Sequence, residues 1–277
     1  MLTNRKLLLA FTTLSAFLLF VYSCAHQPYA KSNKLYKEQS RTLAGNIRSL
    51  PNQLVMDSVL TPQYAVGTTN FDLRKPNFVI IHHTAQGSCE ETLKTFTLQS
   101  SKVSAHYVIC KDGTIHHMLN DYLRAWQAGV SKWGNFSDIN SSSIGIEIDN
   151  NGYEPFAGPQ VTSLLKLLDT LKRKYSIPAA NFIGHSDIAP GRKVDPNAYF
   201  PWQTLAERGF GLWYDTTNIT VPPTFDPIVA LRIIGYNVKD SVNAIKSFKL
   251  HFVQYDTSRI INETDRKILF DLSRKAM

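Results

Sequence analysis

Apolar residues follow two different periods in the middle of the chain. Phe78–His82 is an apolar run typical of a buried strand, and Ser143–Asp149 alternates isoleucines with small or acidic residues. Gln160–Tyr175 repeats leucines at helical spacing, and Phe182–His185 is a short strand that, like the first, ends on a histidine. Strands that alternate with helices predict an α/β fold with a central mixed β-sheet flanked by helices.

Local signals place further elements between these segments. Ser88–Glu91 fits a capping box, so a helix is expected from there to about Gln99. Ala105–Cys110 and Thr114–Met118 read as strands joined by a turn at Lys111-Asp112-Gly113, which predicts a hairpin.

The alternation of strands and helices ends at Pro222-Pro223, and only helical patterns follow. Three short helices are predicted at 227–234, 241–252 and 264–274, with Asn262 as the N-cap of the last. Their apolar positions are expected to form one small core. We therefore predict an α/β domain at 71–215 and a small C-terminal three-helix domain at 222–277.

The first residues indicate export. Arg5 and Lys6 precede an apolar run that ends before Cys24, the pattern of a secretory signal over residues 1–23. Its small residue and cysteine resemble a bacterial lipoprotein signal, which implies lipidation at Cys24. An uncleaved N-terminal anchor is the alternative, although the run is short for a membrane span. Residues 24–70 are polar and proline-containing, so we expect a tether with one short helix.

The charge composition indicates which classes of binding partner are favoured. The net charge of +8 favours an anionic partner, such as lipid headgroups or an acidic envelope polymer. The basic residues are spread along the chain and form no block of five or more, which argues against nucleic acid.

Two cysteines remain besides Cys24. In an oxidising compartment Cys89 and Cys110 could form a disulfide or stay as two buried thiols, and the sequence leaves both open. A hydrolase that uses Cys89 or Cys110 as nucleophile is a separate functional hypothesis, but neither residue lies in a nucleophile motif.

Candidate metal ligands follow two strands. His82, His185 and Asp195 offer two imidazoles and one carboxylate, a set that suits catalytic zinc and leaves a position for water. A single histidine at a strand end is more often structural, and 103 residues separate the two histidines. The residues alone therefore indicate only a possible zinc site.

Four motifs extend the case: Phe78–Ala85 (FVIIHHTA), Ala125–Gly129 (AWQAG), Ser143–Ile148 (SIGIEI) and Gly184–Pro196 (GHSDIAPGRKVDP). In this order, over roughly residues 70–205, they resemble the zinc-dependent N-acetylmuramoyl-L-alanine amidases, whose fold is shared with peptidoglycan recognition proteins. Residues 226–275 resemble the peptidoglycan-binding domain of the lipid-anchored outer-membrane type.

The resemblance assigns roles to five residues. It implies one Zn²⁺ per chain held by His82, His185 and Asp195, with Glu147 as general base and then proton donor. Lys193 would stabilise the oxyanion. Taken alone, Glu147 could instead be a salt-bridge partner at a strand edge, and Lys193 a solvated loop charge.

Other residues near the motifs are weaker candidates. His83 should point away from His82 and is not assigned as a ligand. Trp126 and Gln127 are expected to line the substrate groove, where many relatives carry histidine in place of Gln127. His106 is interpreted as a packed histidine. His116 and His117 are interpreted as hairpin residues.

The resemblance implies a hydrolase that cleaves the amide between N-acetylmuramic acid and L-alanine in peptidoglycan and muropeptides, for cell-wall turnover or recycling. The alternative is a non-catalytic peptidoglycan-binding protein, which would lack part of the zinc set. The expected setting is that of an outer-membrane lipoprotein facing the periplasm, a monomer that binds muropeptide substrate and no nucleic acid.

Overall fold

A computed structural model describes residues 27–48 and 67–277 of the chain. The predicted signal segment and Cys24 lie outside these residues. The chain divides into two compact units, Met1–Phe71 and Asp72–Met277. In the first unit, helix α1 (Ala30–Arg48) has no buried residue and is longer than the short helix expected in the tether. No helix in the described ranges is long and apolar enough to span a bilayer.

The second unit is built on a five-stranded mixed sheet, as predicted. Its strands lie in the order β3-β2-β4-β1-β5, and only the β2–β3 pair is antiparallel. They are β1 (Phe78–His83), β2 (Tyr107–Ile109), β3 (Ile115–His117), β4 (Ser143–Ile148) and β5 (Phe182–Gly184).

Helices flank this sheet and follow it along the chain. They are α2 (Cys89–Thr97), α3 (Gly158–Tyr175), α4 (His185–Ile188), α5 (Trp202–Glu207), α6 (Pro227–Ile234), α7 (Ser241–Phe252) and α8 (Glu263–Lys275). Single 3₁₀ turns occur at Gln99–Ser101, Ile139–Ser141, Ala179–Asn181 and Val238–Asp240.

Caps explain where several helices begin. Ser88 Oγ accepts the N–H of Glu91 at 3.2 Å, as the capping box predicts, but the Glu91 carboxylate accepts the N–H of Gly87 instead of that of Ser88. Asn262 and Asp265 complete a reciprocal capping box at α8. Polar side chains thus satisfy backbone groups that a helix start leaves unpaired.

The two faces of the sheet are covered differently. Ile144, Ile146 and Ile148 lie on one face and pack in a core with Val79, Ile81 and the leucines of α3. The opposite face contributes Phe78, Ile80 and Ile183 to a second core, which it shares with α6, α7 and α8. The alternation in β4 therefore predicted its buried face.

The C-terminal helices extend the second core. Helix α6 ends at Gly235, where φ is +133° and a Cβ would collide with the ring of Trp133. This close approach requires glycine. The domain boundary at residue 222 remains a prediction, and the helices beyond it pack on the sheet within one compact unit.

A disulfide joins Cys89, the first residue of α2, to Cys110 after β2, with Cα atoms 5.3 Å apart. This settles the alternative that the sequence left open. The bridge fixes α2 to the sheet beside the candidate site. Because both sulfurs are bonded to each other, neither is a free nucleophile.

Candidate active site

Parallel strands bring the predicted ligands to one edge of the sheet. In β1 and β4, His82 is in register with Glu147, and Ile81 of β1 is paired with Gly184 of β5. His185 follows Gly184 as the first residue of α4. Three residues that are distant in sequence therefore meet at the carboxyl ends of adjacent strands.

Asp195 completes the cluster from the loop after α4. Its Oδ2 lies 3.0 Å from His82 Nδ1 and 3.0 Å from His185 Nδ1, and the two Nδ1 atoms are 2.9 Å apart. All three side chains are buried. Three ligand-type atoms that converge on one point form a group able to hold a metal ion.

The charges in the cluster act on both histidines. Burial and the neighbouring His82 lower the pKa of His185 to about 4, so its imidazole is neutral at pH 7. Burial also disfavours protonated His82, but the Glu147 and Asp195 carboxylates outweigh it and raise the pKa of His82. Asp195 is buried, which favours its neutral form, yet the adjacent imidazoles of His185 and His82 hold its pKa well below the ordinary value.

Glu147 lies beside this cluster without joining it. Its Oε2 is buried and has no hydrogen-bond partner among the described residues. Burial, with a smaller contribution from Asp195, raises the pKa of this carboxyl, while His82 and Lys193 act in the opposite direction. A carboxyl with a raised pKa and a free oxygen is suited to take up and return a proton near neutral pH.

An open groove gives access to the cluster. His82, Glu147, His185 and Asp195 line it together with Lys193, whose charge acts on Glu147. Its walls carry residues from α2 and from the loops beside it: Thr92, Thr95, Phe96, Val103, Ser104, Trp126, Gln127, Arg192 and Val194. The five predicted metal and catalytic residues thus share one cavity.

The structure gives different environments to the two predicted groove residues. Trp126 is 54% exposed on the groove wall, where an aromatic ring is free to contact a ligand. Gln127 is half-buried, and its side chain contacts His82 and Ser143. No sequence pattern predicted the contact between Gln127 and the candidate ligand His82.

The remaining histidines do not enter the cluster. His83 lines the groove but is not part of the cluster, and its Nδ1 accepts the N–H of Asn197 at 3.1 Å. His106 is fully buried and bonds to backbone groups of Leu123 and Gly145, which confirms the packed histidine. His116 and His117 lie on β3, in the hairpin as predicted.

Sequence reasoning missed two residues that support the site. Arg192 donates through Nη2 to the carbonyl oxygens of Ala128 (2.6 Å) and Val130 (2.8 Å) and so ties two groove loops together. Asp187, two residues after His185, is fully buried and binds groups of the C-terminal helices. Both lie within the Gly184–Pro196 motif, but their partners are far away in sequence.

Comparison with known sequences agrees with this geometry. A family model described as N-acetylmuramoyl-L-alanine amidase matches residues 72–198. The N-acetylmuramoyl-L-alanine amidase AmiD of Escherichia coli K12 is 31% identical over 206 residues, which cover 63% of this chain and 74% of that protein. The 1,6-anhydro-N-acetylmuramyl-L-alanine amidase AmpD of Haemophilus influenzae is 39% identical over 103 residues, 37% of this chain and 56% of that protein.

Solved structures show the same fold. AmiD from E. coli, in complex with the substrate anhydro-N-acetylmuramic acid-L-Ala-D-gamma-Glu-L-Lys, superposes with a TM-score of 0.67 at 27% identity and covers 78% of this chain and 97% of its own. AmpDH3 from Pseudomonas aeruginosa, in complex with anhydromuramic pentapeptide, gives a TM-score of 0.66 at 27% identity, with 79% and 99% covered. Both alignments extend well beyond residues 72–198.

Proposed function

The chain belongs to the N-acetylmuramoyl-L-alanine amidase family, and we propose that it is a zinc-dependent enzyme that cleaves the amide between N-acetylmuramic acid and the first L-alanine of the stem peptide. The observation that carries the proposal is the convergence of His82, His185 and Asp195 beside a buried, unpaired Glu147 oxygen at the base of an open groove. A non-catalytic binding protein has no need of this combination.

The donor set fits zinc. Two imidazole nitrogens and one carboxylate oxygen are preferred zinc ligands, and three protein ligands leave a fourth position open. The three candidate ligand atoms lie 2.9–3.0 Å from one another, so a single ion could contact all three. The second nitrogen of each imidazole binds a protein oxygen, an arrangement common among metal-bound histidines.

The catalytic roles follow from the positions of two further residues. Zinc at this site would polarise the scissile carbonyl and lower the pKa of a water molecule. Glu147 takes a proton from the attacking water and delivers it to the leaving nitrogen of L-alanine, because the collapse of a tetrahedral amide adduct requires a protonated amine. The Lys193 ammonium stabilises the negative charge that develops on the carbonyl oxygen.

The substrate proposal draws on the solved relatives. AmiD and AmpDH3 were each solved with an anhydromuramyl peptide, so we propose muropeptides and peptidoglycan as substrates of this chain, for cell-wall turnover or recycling. Trp126 on the groove wall offers a flat apolar surface for a sugar or peptide.

We also propose the cellular setting from the sequence. Lipidation at Cys24 would hold the mature protein on the outer membrane, facing the periplasm, as a monomer that binds no nucleic acid. Metabolic labelling with a fatty acid should mark the wild type and leave Cys24→Ala unlabelled. A labelled Cys24→Ala variant would contradict the anchor.

Ligand variants test the enzymatic proposal. The purified protein should hold one zinc ion and release free amino groups from soluble muropeptides, and chelation should abolish this release. His185→Ala and Asp195→Ala should lose most of the metal and the activity, since a site with three protein ligands has no spare donor. His83→Asn, which alters the adjacent histidine that offers no atom to the cluster, is the matched control and should retain the metal. Full zinc occupancy in both ligand variants would refute the assignment.

A further inference from the structure

Residues 127 and 128 contact both candidate ligand histidines on the side away from the cluster. We propose that Gln127 is a positioning residue which, together with the Ala128 carbonyl, selects Nδ1 as the metal-binding atom of His82 and His185. The inference rests on the proposed function only in taking His82, His185 and Asp195 as a metal site. It concerns how this chain prepares the site before metal and substrate bind.

A chain of three hydrogen bonds fixes the proton on His82. The Ser143 hydroxyl donates its single proton to the Ile139 carbonyl at 2.7 Å, so its oxygen is left to accept from Gln127 Nε2 at 2.8 Å. The amide oxygen of Gln127 then faces His82 Nε2 at 2.6 Å. Because this oxygen only accepts, Nε2 carries the proton and Nδ1 keeps its lone pair for a metal.

The neighbouring residue fixes His185 in the same way. Its Nε2 lies 3.2 Å from the Ala128 carbonyl oxygen, which can only accept. Arg192 Nη2 lies farther from this nitrogen, at 3.5 Å, and donates to the same carbonyl oxygen at 2.6 Å. Nε2 therefore carries the proton, and Nδ1 faces the cluster with a lone pair. With Asp195 Oδ2, three atoms that offer only lone pairs lie within 3.0 Å of one another. Such a group favours a cation at its centre.

The backbone and a glycine hold this segment in place. The Asn140 Oδ1 accepts the N–H groups of both Gln127 (3.1 Å) and Ala128 (2.8 Å). The Gln127 side chain lies against β4 at Gly145, where a Cβ would be 2.7 Å from Gln127 Cγ. Gly145 thus leaves the space that the amide occupies beside His82.

An amide is suited to this position because it does not titrate. It can accept from His82 and donate to Ser143 at any pH, so the tautomer of His82 does not depend on ionisation of its partner. Gln127→Met removes both functions at similar volume. Gln127→Glu keeps the acceptor toward His82, so it should preserve the tautomer and most of the metal affinity.

The experiment measures metal affinity and proton position separately from catalysis. Zn²⁺ affinity is obtained by competition with a chromogenic chelator, and long-range ¹H–¹⁵N spectra of zinc-loaded, histidine-labelled protein show which ring nitrogen carries the proton. Loss of an outer hydrogen-bond partner typically weakens metal affinity by about 10–100-fold. We expect that loss in Gln127→Met, recovery in Gln127→Glu, and an Nε2 proton on both histidines of the wild type.

Gln160→Met is the matched control, because Gln160 is a buried glutamine whose amide bonds only backbone groups away from the cluster. It should lose stability and keep zinc affinity. Unchanged affinity in a folded Gln127→Met, or an Nδ1 proton on either histidine of the wild type, overturns the inference, as does a wild type that binds no zinc. A wild type with the expected spectra but no amidase product refutes the proposed function and leaves this inference standing.

Discussion

The buried carboxylate of Asp187 connects the site to the C-terminal helices, and its removal gives a quantitative prediction. Asp187 accepts the Gly184 N–H at 2.7 Å, His251 Nδ1–H at 2.7 Å and the Tyr236 hydroxyl at 2.7 Å. All of these groups are buried, and the His251 ring stacks on Trp202. The carboxylate therefore joins β5, α4 and α7 two residues after His185.

Asp187→Ala leaves three buried donors without an acceptor. Each unsatisfied buried donor costs about 1–3 kcal/mol, so the expected loss in the free energy of unfolding is about 3 kcal/mol or more, before any relaxation. Total stability of such a protein is about 5–15 kcal/mol. Tyr236→Phe removes only one of the three bonds and should cost about 1–2 kcal/mol.

Urea unfolding followed by tryptophan fluorescence measures the loss as a lower midpoint at constant slope. Asp240→Ala is the control, since Asp240 is an exposed N-cap of α7, and its removal should cost about 1 kcal/mol. A loss below 1 kcal/mol in Asp187→Ala, or one no larger than in Asp240→Ala, would show that the buried network does not stabilise the fold.

Three further predictions concern the general base, the buried carboxylate of Asp121 and the disulfide. Glu147→Gln should keep the metal and lose turnover by about 10²–10⁴-fold. The base must be ionised and burial raises its pKa, so wild-type activity should fall on the acid side through a pKa above that of an ordinary Glu carboxyl. Any activity that remains in the variant should lack this decline. Asp121 is buried, but hydrogen bonds from two tyrosine hydroxyls and a lysine lower its pKa. The ionised carboxylate therefore stabilises the folded protein fully above the unfolded pKa of about 3.9, and this contribution is lost as pH falls through the lower folded value. Acid unfolding of Asp121→Asn should depend less on pH than that of the wild type, and an unchanged acid profile would contradict this. The double variant Cys89→Ser/Cys110→Ser removes the disulfide between residues 21 apart in sequence. It should lower the free energy of unfolding, measured by heat or urea, by about 3 kcal/mol. No change in stability on reduction of the wild type would show that the bridge does not stabilise the protein.

Local patterns predicted most of the second unit. The continuous apolar run of β1, the alternation in β4 and the leucine spacing of α3 reflect interactions within one element, so each element was found near its predicted position. Gly235 and Asn262 likewise marked the end of α6 and the start of α8. These signals depend on backbone geometry a few residues away.

Contacts between distant segments could not be predicted in this way. His251 meets Asp187 across 64 residues and Gln127 meets His82 across 45, and no periodicity connects either pair. The motif resemblance indicated the cluster of His82, His185 and Asp195, but it carried no information on what supports the cluster. That support comes from the packed C-terminal helices and from one loop, which only the three-dimensional structure brings together.

Hydrolysis in ¹⁸O-labelled water tests the central claim most directly, because it identifies the bond that is cut. A muramyl peptide incubated with the zinc-loaded protein should give two products by mass spectrometry: a free stem peptide with an unlabelled L-alanine amino terminus, and a muramic acid with one ¹⁸O atom in its lactyl carboxylate. Label within the stem peptide, or products of glycan cleavage, would contradict the account.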